Sequence, residues 1–190
     1  MNREDILIVC ALEQETVGKL DGYDVLYTGV GKVNATYKLT RFLPLNFHYD
    51  LIINYGTGAS KSHSGLVDCT QFIQRDMDAS GLGFPKGMTP FCPPDGNEYI
   101  IDFSHIKNPI GKNYVCGTGD NFVEDISNEM DDIDVFDMEA YALAKTCRNF
   151  GKDFVSYKYI SDDGNADDWK ENCSKGINEF KKVLEYYDNS

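Results

Sequence analysis

Short apolar runs alternate with helix-patterned segments along almost the whole chain. DILIVCAL, YDVLYTG, YDLIINYG, LVDCTQFIQ, EYIIDF, NYVCGTGD, IDVF and FVSYKYISDD are brief, apolar and β-prone, and read as strands. Between and after them, VNATYKLTRFL has helical spacing with Val33, Tyr37 and Phe42 as candidates for its buried side. MEAYALAKTCRNFG reads as a helix stopped by Gly151. ADDWKENCSKGINEFKKVLEYY reads as one terminal amphipathic helix, its stripe formed by Trp169, Cys173, Ile177, Phe180 and Leu184. A long Gly/Pro-rich loop is expected from Gly81 to Gly96. Strands alternating with helices predict an α/β layered domain around a largely parallel or mixed sheet. No repeat, low-complexity stretch or linker interrupts the pattern, so residues 1–190 are expected to form a single domain.

In such folds ligands bind at the carboxyl ends of strands. The polar or glycine-rich ends here are Glu13-Gln14-Glu15, Thr28-Gly29, Gly56-Thr57-Gly58, Gly117-Thr118-Gly119-Asp120, Asp137-Met138-Glu139 and Ser161-Asp162-Asp163. Taken singly, each has an ordinary reading. Glu13, Glu15 and Glu139 suit the first turn of a helix, and Asp162, Asp163, Asp167 and Asp168 suit a solvated loop and cap. Taken together, they gather carboxylates along one sheet edge. Carboxylates sharing a cleft raise one another's pKa, which suits acid–base chemistry.

Composition excludes several classes. Hydrophobic residues make up 42 %, enough for a core, and the net charge of −13 argues against a general nucleic-acid binder. No apolar run approaches the roughly 20 residues that span a bilayer, and MNREDILIVC reads as a first strand, so no membrane association is expected. The 6 cysteines lack CxxC spacing, which argues for buried thiols in a reducing cytoplasm rather than a metal site. TGVGKVNA fails the phosphate-loop pattern at Leu26 and Val33. GTGASK fails the dinucleotide pattern at Lys61. His48, His63 and His105 pair with no Cys or Ser motif, so a nucleophile triad is unsupported.

Five segments in order, ILIVCALEQE, YTGVGKVNAT, LIINYGTGAS, GTGDNFV and DVFDMEAYALAKTCRNFGKDFVSYKYISDD, resemble the nucleoside phosphorylase/nucleosidase superfamily. The nearest resemblance is to the 5′-methylthioadenosine/S-adenosylhomocysteine nucleosidases. It implies a three-layer αβα sandwich with a central mixed sheet, hydrolysis of a purine nucleoside with release of adenine, no metal or organic cofactor, and a homodimer. Carried over by position, it implies that Glu15 activates the attacking water and that Asp162 protonates the purine, supported by Ser161. It places Met138, Glu139 and Thr57 at the ribose, with Phe122, Val123, Ser161 and Gly58 at the base.

That division fits the chemistry. Cleaving an N-glycosidic bond makes a cationic sugar and an anionic purine, so an acid near the base and a base near water share the work, as paired carboxylates do in glycosidases. Asp162 must hold a proton, so its pKa is expected to be raised. The rival reactions are phosphorolysis and ligand binding without turnover. Phosphorylases of this superfamily resemble the chain but carry an arginine just before the small-residue loop, where Asn54 and Tyr55 stand here. Water is therefore the expected nucleophile, with Arg41, Arg75 and His63 unplaced. Two departures from the resemblance are Ala59-Ser60 in place of Gly-Gly, and an unusual GLGFPKGMTPF where relatives build the 5′-substituent pocket.

Overall fold

A computed structural model of the chain describes residues 2–92 and 96–189, apart from the Asn128 side chain. Its strands are β1 (Ile6–Cys10), β2 (Asp24–Tyr27), β3 (Leu51–Ala59), β4 (Gly65–Gln74), β5 (Thr89–Cys92), β6 (Gly96–Glu98), β7 (Ile100–Asp102), β8 (Tyr114–Thr118), β9 (Val135–Asp137) and β10 (Asp153–Asp162). Its α-helices are α1 (Glu13–Thr16), α2 (Lys32–Phe42), α3 (Ala140–Asn149), α4 (Ala166–Asn172) and α5 (Ile177–Asp188).

The main sheet is mixed and runs β10-β4-β8-β9-β3-β1-β2, with β7 added beside β4. A further pairing of β10 with β3 closes β10, β4, β8, β9 and β3 into a ring. The β1–β2, β1–β3, β3–β10, β4–β8 and β8–β9 pairs are parallel, whereas β4–β10 and β3–β9 are antiparallel.

Helices cover both faces. Alternate residues of β1 point to different cores because side chains alternate along a strand. Leu7 and Val9 join Ala35 and Leu39 of α2 and Leu143 and Cys147 of α3. Ile6, Ile8 and Cys10 join Ile177, Phe180 and Leu184 of α5. The result is the three-layer αβα arrangement, and it explains why every residue of ILIVC is buried. No helix among the described residues is long and apolar enough to cross a membrane.

The structure corrects four local expectations. On α2 the buried stripe is Ala35 and Leu39 with Phe42 packed beside them, while Val33 and Tyr37 are 77 % and 54 % exposed. GTGA is not a loop: β3 continues through Ala59 because Ala59 pairs with Phe136 of β9 and Gly58 lies flush against it. The terminal helix is two helices. Gly176 separates them, and a Cβ there would lie 2.4 Å from Tyr159, so the chain can press against β10 only without a side chain. The loop from Gly81 to Gly96 contains one arm of the β5–β6 hairpin, and its residues 93–95 lie outside the described residues. Gly151, at φ +64°, ends α3 as expected.

Candidate active site

Strand ends distant in sequence enclose one cavity of ≈ 210 Å³. Glu15 enters it from α1, Thr57 and Gly58 from the end of β3, Phe122 and Val123 from the segment after β8, Met138 and Glu139 from the β9–α3 junction, and Asp162 from the end of β10. Eight of the nine sequence-predicted positions therefore line a single space. The ninth, Ser161, stands behind Asp162 and donates its hydroxyl to Asp162 Oδ2 at 2.8 Å.

Glu15 is buried and held at three points. Its Oε2 accepts the Leu12 N–H at 3.0 Å, and its Oε1 accepts the Thr57 N–H at 3.0 Å and the Thr57 hydroxyl at 3.2 Å. The first bond caps its own helix, so this carboxylate serves the helix start and faces the cavity as well. Burial lifts its pKa above the ordinary range, with Lys158 and the three donors opposing. Gly56 makes the approach possible, since a Cβ there would lie 3.1 Å from Oε1.

The β9–α3 junction separates two tasks between two acids. Asp137 caps α3: its Oδ2 accepts the backbone N–H of Ala140 at 2.8 Å and of Glu139 at 3.2 Å, and its Oδ1 accepts the Thr118 hydroxyl at 2.5 Å. Thr118 Oγ1 in turn accepts the Tyr141 N–H. Glu139 sits at the N-cap position yet makes no side-chain capping bond, and instead its Oε1 accepts the Gly31 N–H at 2.8 Å. Glu139 is thereby released to face the cavity. Burial, reinforced by the Asp137 carboxylate, pushes it up to about 8.

Beneath both lies a buried ammonium. Lys158 Nζ is 2.7 Å from Asp137 Oδ2. Burial alone would lower the Lys158 pKa, but Asp137 and Glu139 outweigh it and the ammonium stays charged. Burial would raise Asp137, and Lys158 with the Thr118 and Ala140 donors holds it below the usual carboxylate range.

Asp162 is also raised, by burial first and then by Asp163 and Asp168, against the Ser161 hydroxyl and the Gly164 N–H at 2.9 Å. Gly164, at φ +112°, brings this turn against the carbonyls of Val123 and Glu124, where a Cβ would meet oxygen at 3.0 and 2.9 Å. The acid and the Phe122–Val123 segment are thus fixed relative to each other.

Sequence reasoning missed four participants. Asp137 stood among the strand-end carboxylates but was given no role of its own, and Lys158 gave no signal beyond a lysine inside a largely apolar strand four residues before Asp162. Trp169, assigned to a helix stripe, lines the cavity and donates its indole N–H to Thr57 Oγ1 at 3.0 Å. Arg75, unplaced by sequence, lines it too. Its Nη1 is 3.1 Å from Glu129 Oε1 and its Nη2 donates to the Asn121 carbonyl at 2.7 Å. His63 and Arg41 lie elsewhere, His63 stacked on Tyr114 and Arg41 bonded to the Tyr37 hydroxyl. Asn54 bridges strands, donating to the Val9 carbonyl and accepting from Ser156, and Tyr55 stacks on Phe180.

The sequence model of the Phosphorylase superfamily matches residues 11–187. The chain belongs to that superfamily. Among curated relatives, a 5′-methylthioadenosine/S-adenosylhomocysteine nucleosidase from Exiguobacterium is 31 % identical over 183 residues, covering 84 % of this chain and 77 % of that protein. One of the same description from Anoxybacillus flavithermus is 30 % identical over 164 residues, covering 76 % and 70 %. In fold, the chain is similar to the Helicobacter pylori 5′-methylthioadenosine/S-adenosylhomocysteine nucleosidase, with TM-score 0.77, 22 % identity and 98 % of each chain covered. It is similar also to the futalosine hydrolase of the same organism, with TM-score 0.76, 22 % identity and 95 % of each covered. Within the superfamily the chain thus stands with the nucleosidases.

Proposed function

We propose that the chain hydrolyses the N-glycosidic bond of a purine nucleoside of the 5′-methylthioadenosine or S-adenosylhomocysteine type, releasing adenine. The observation that carries this is the placement of Glu15 and Asp162 on one cavity with Glu139 and Met138 beside them, in a chain whose curated relatives bear that activity in their names. Asp162, with its raised pKa, donates a proton to the departing purine. Glu15 takes the proton of the attacking water. Glu139 accepts from the ribose hydroxyls, and that bond strengthens as the sugar becomes cationic. Met138 and Thr57 complete the ribose site. Phe122 packs on the base, Val123 reads its edge through the backbone, and Gly58 leaves room for it.

Water is the nucleophile in this reading. The Arg75 guanidinium on the cavity is matched by Glu129 at 3.1 Å, and Asn54 and Tyr55 offer no cation where a phosphate would need one. The enzyme works as a homodimer in the cytoplasm. The exposed Val33 and Tyr37, which flank a groove between α2 and α3, are the surface a second copy would cover. The free thiols of Cys10, Cys69, Cys116, Cys147 and Cys173 fit a reducing compartment.

Incubation with methylthioadenosine, S-adenosylhomocysteine and adenosine, with and without phosphate, tests the reading by chromatography of released base. Adenine release independent of phosphate, reduced at least about 100-fold in Asp162→Asn and Glu15→Gln, is expected. Strict phosphate dependence would make the chain a phosphorylase, and binding without release would make it a nucleoside-binding module.

A further inference from the structure

To activate water, Glu15 must be an ionised carboxylate in a buried place. Its Oε1 receives the Thr57 hydroxyl, and the same Thr57 oxygen receives the indole N–H of Trp169 at 3.0 Å. A hydroxyl has one proton. With its oxygen occupied by the indole donor, Thr57 directs that proton to Glu15, and the two bonds in series polarise each other. Trp169 belongs to α4, which has no buried residue. Side-chain bonds tie that helix to the sheet through Trp169 to Thr57 and through Asn172 Nδ2 to the Ser161 carbonyl at 2.7 Å. A helix so lightly seated opens more cheaply than one with an apolar face in the core.

Building on the nucleosidase reading and its water-activating Glu15, we propose that Trp169 is a positioning residue which, through Thr57, couples the seating of α4 over the cavity to the ionisation of Glu15. With α4 seated, the relay Trp169–Thr57–Glu15 is complete and the carboxylate is stabilised as a base. With α4 lifted, Thr57 loses its donor and can turn its proton elsewhere, and Glu15 takes up a proton more readily. The base is thus competent when the cavity is covered. The other titratable groups facing Glu15 are Lys158 on β10, Glu139 at the start of α3, Cys10 on β1, Tyr55 on β3 and Cys173 just after α4. Trp169→Phe leaves each of them in place and keeps an aromatic ring over the cavity.

Two readouts decide the matter. In the pH profile of kcat/KM for adenine release, Trp169→Phe should move the acidic limb upward by about half a pH unit, lowering activity roughly threefold on that limb and little above it. Thr57→Val should move the limb by about one unit, and adding Trp169→Phe to Thr57→Val should move it no further. A loss in Trp169→Phe that is equal at all pH values, or limb shifts that add in the double variant, would overturn the relay. Independently of turnover, carboxyl-¹³C NMR of glutamate-labelled protein, with Glu15 assigned through Glu15→Gln, should show its titration midpoint moving upward in Trp169→Phe. An unmoved midpoint would equally overturn it. Absence of adenine release from the unaltered chain would sink the nucleosidase reading, and the NMR midpoint would still judge the relay.

Discussion

Glu139→Gln isolates the energetic cost of keeping a carboxyl buried on the cavity. In the folded chain burial and the neighbouring Asp137 push Glu139 up to about 8, against an ordinary value of 4.5. A raised pKa means that the folded chain holds the proton more tightly than the unfolded one. The stabilisation this gives is fully present below the unfolded value and is lost as pH rises through the folded value. Between pH 6 and pH 9 the unfolded carboxyl is ionised throughout, while the folded one passes from mostly protonated to mostly ionised. Integrating that difference in bound protons gives ~2.7 kcal/mol of stability lost across the interval. Glutamine has the same shape, cannot titrate, and can keep its carbonyl on the Gly31 N–H. Urea unfolding of both proteins at pH 6 and pH 9 should therefore show the unaltered chain losing about 2–3 kcal/mol more than Glu139→Gln, or roughly 5–10 °C more in Tm. Parallel pH profiles would mean that Glu139 is ionised throughout this range.

The same titration couples to ligand binding. If the ribose hydroxyls need an ionised Glu139, affinity for a non-hydrolysable methylthioadenosine analogue should rise between pH 6 and 8, by up to about tenfold per unit, while affinity for adenine rises less; calorimetry of both ligands measures it. Lys158→Met leaves the buried Asp137 without its cation and should cost about 3–5 kcal/mol in urea unfolding, much of it recovered in Lys158→Met/Asp137→Asn. Gly58→Ala places a Cβ 2.9 Å from Val135 Cγ1 and 3.1 Å from the Phe136 carbonyl, and should cost about 1–3 kcal/mol as β9 is displaced. Gly81→Ala, where a Cβ meets nothing within 4 Å, is its control and should change stability by less than about 0.5 kcal/mol.

Most strands of the main sheet were legible because they carry short apolar runs such as ILIVC, and such runs persist whatever their partners, whereas β5, TPFC, lay inside the stretch read as a loop. Their pairing was not. That β10 lies between β3 and β4, closing a ring, depends on contacts between Asp153–Ile160 and two distant segments that no local pattern encodes. Helix faces were legible only in part. Val33 and Tyr37 have the right spacing for a buried stripe, but so do Ala35 and Leu39, and which set turns inward is decided by what packs against α2. The break at Gly176 was hidden because Trp169, Cys173, Ile177, Phe180 and Leu184 keep helical spacing across it. Only the nearness of Tyr159 shows that the chain turns there. The candidate site was largely legible because its residues sit at strand ends in fixed order. Trp169 escaped because an aromatic on an amphipathic stripe is ordinarily core. Lys158 escaped because a lysine in a strand ordinarily faces solvent.

The buried ammonium explains how one cavity can hold acids in different protonation states. Glu15, Asp137 and Glu139 all lie within the field of Lys158, and the cation cannot serve them equally. Asp137, at 2.7 Å and with the Thr118 and Ala140 donors, takes the closest share and stays ionised as a structural anion. What remains of the cation's field reaches Glu15 and Glu139 weakened by that pairing, so burial prevails at both and their pKa values rise. Glu139, pushed up to about 8, is then near its titration range at physiological pH, and Glu15 is shifted in the same direction. The same arrangement disfavours an anionic nucleophile. A phosphate entering the cavity would meet an ionised Glu15 with the Lys158 charge already engaged by Asp137 and the Arg75 charge by Glu129, whereas a neutral water meets no such opposition.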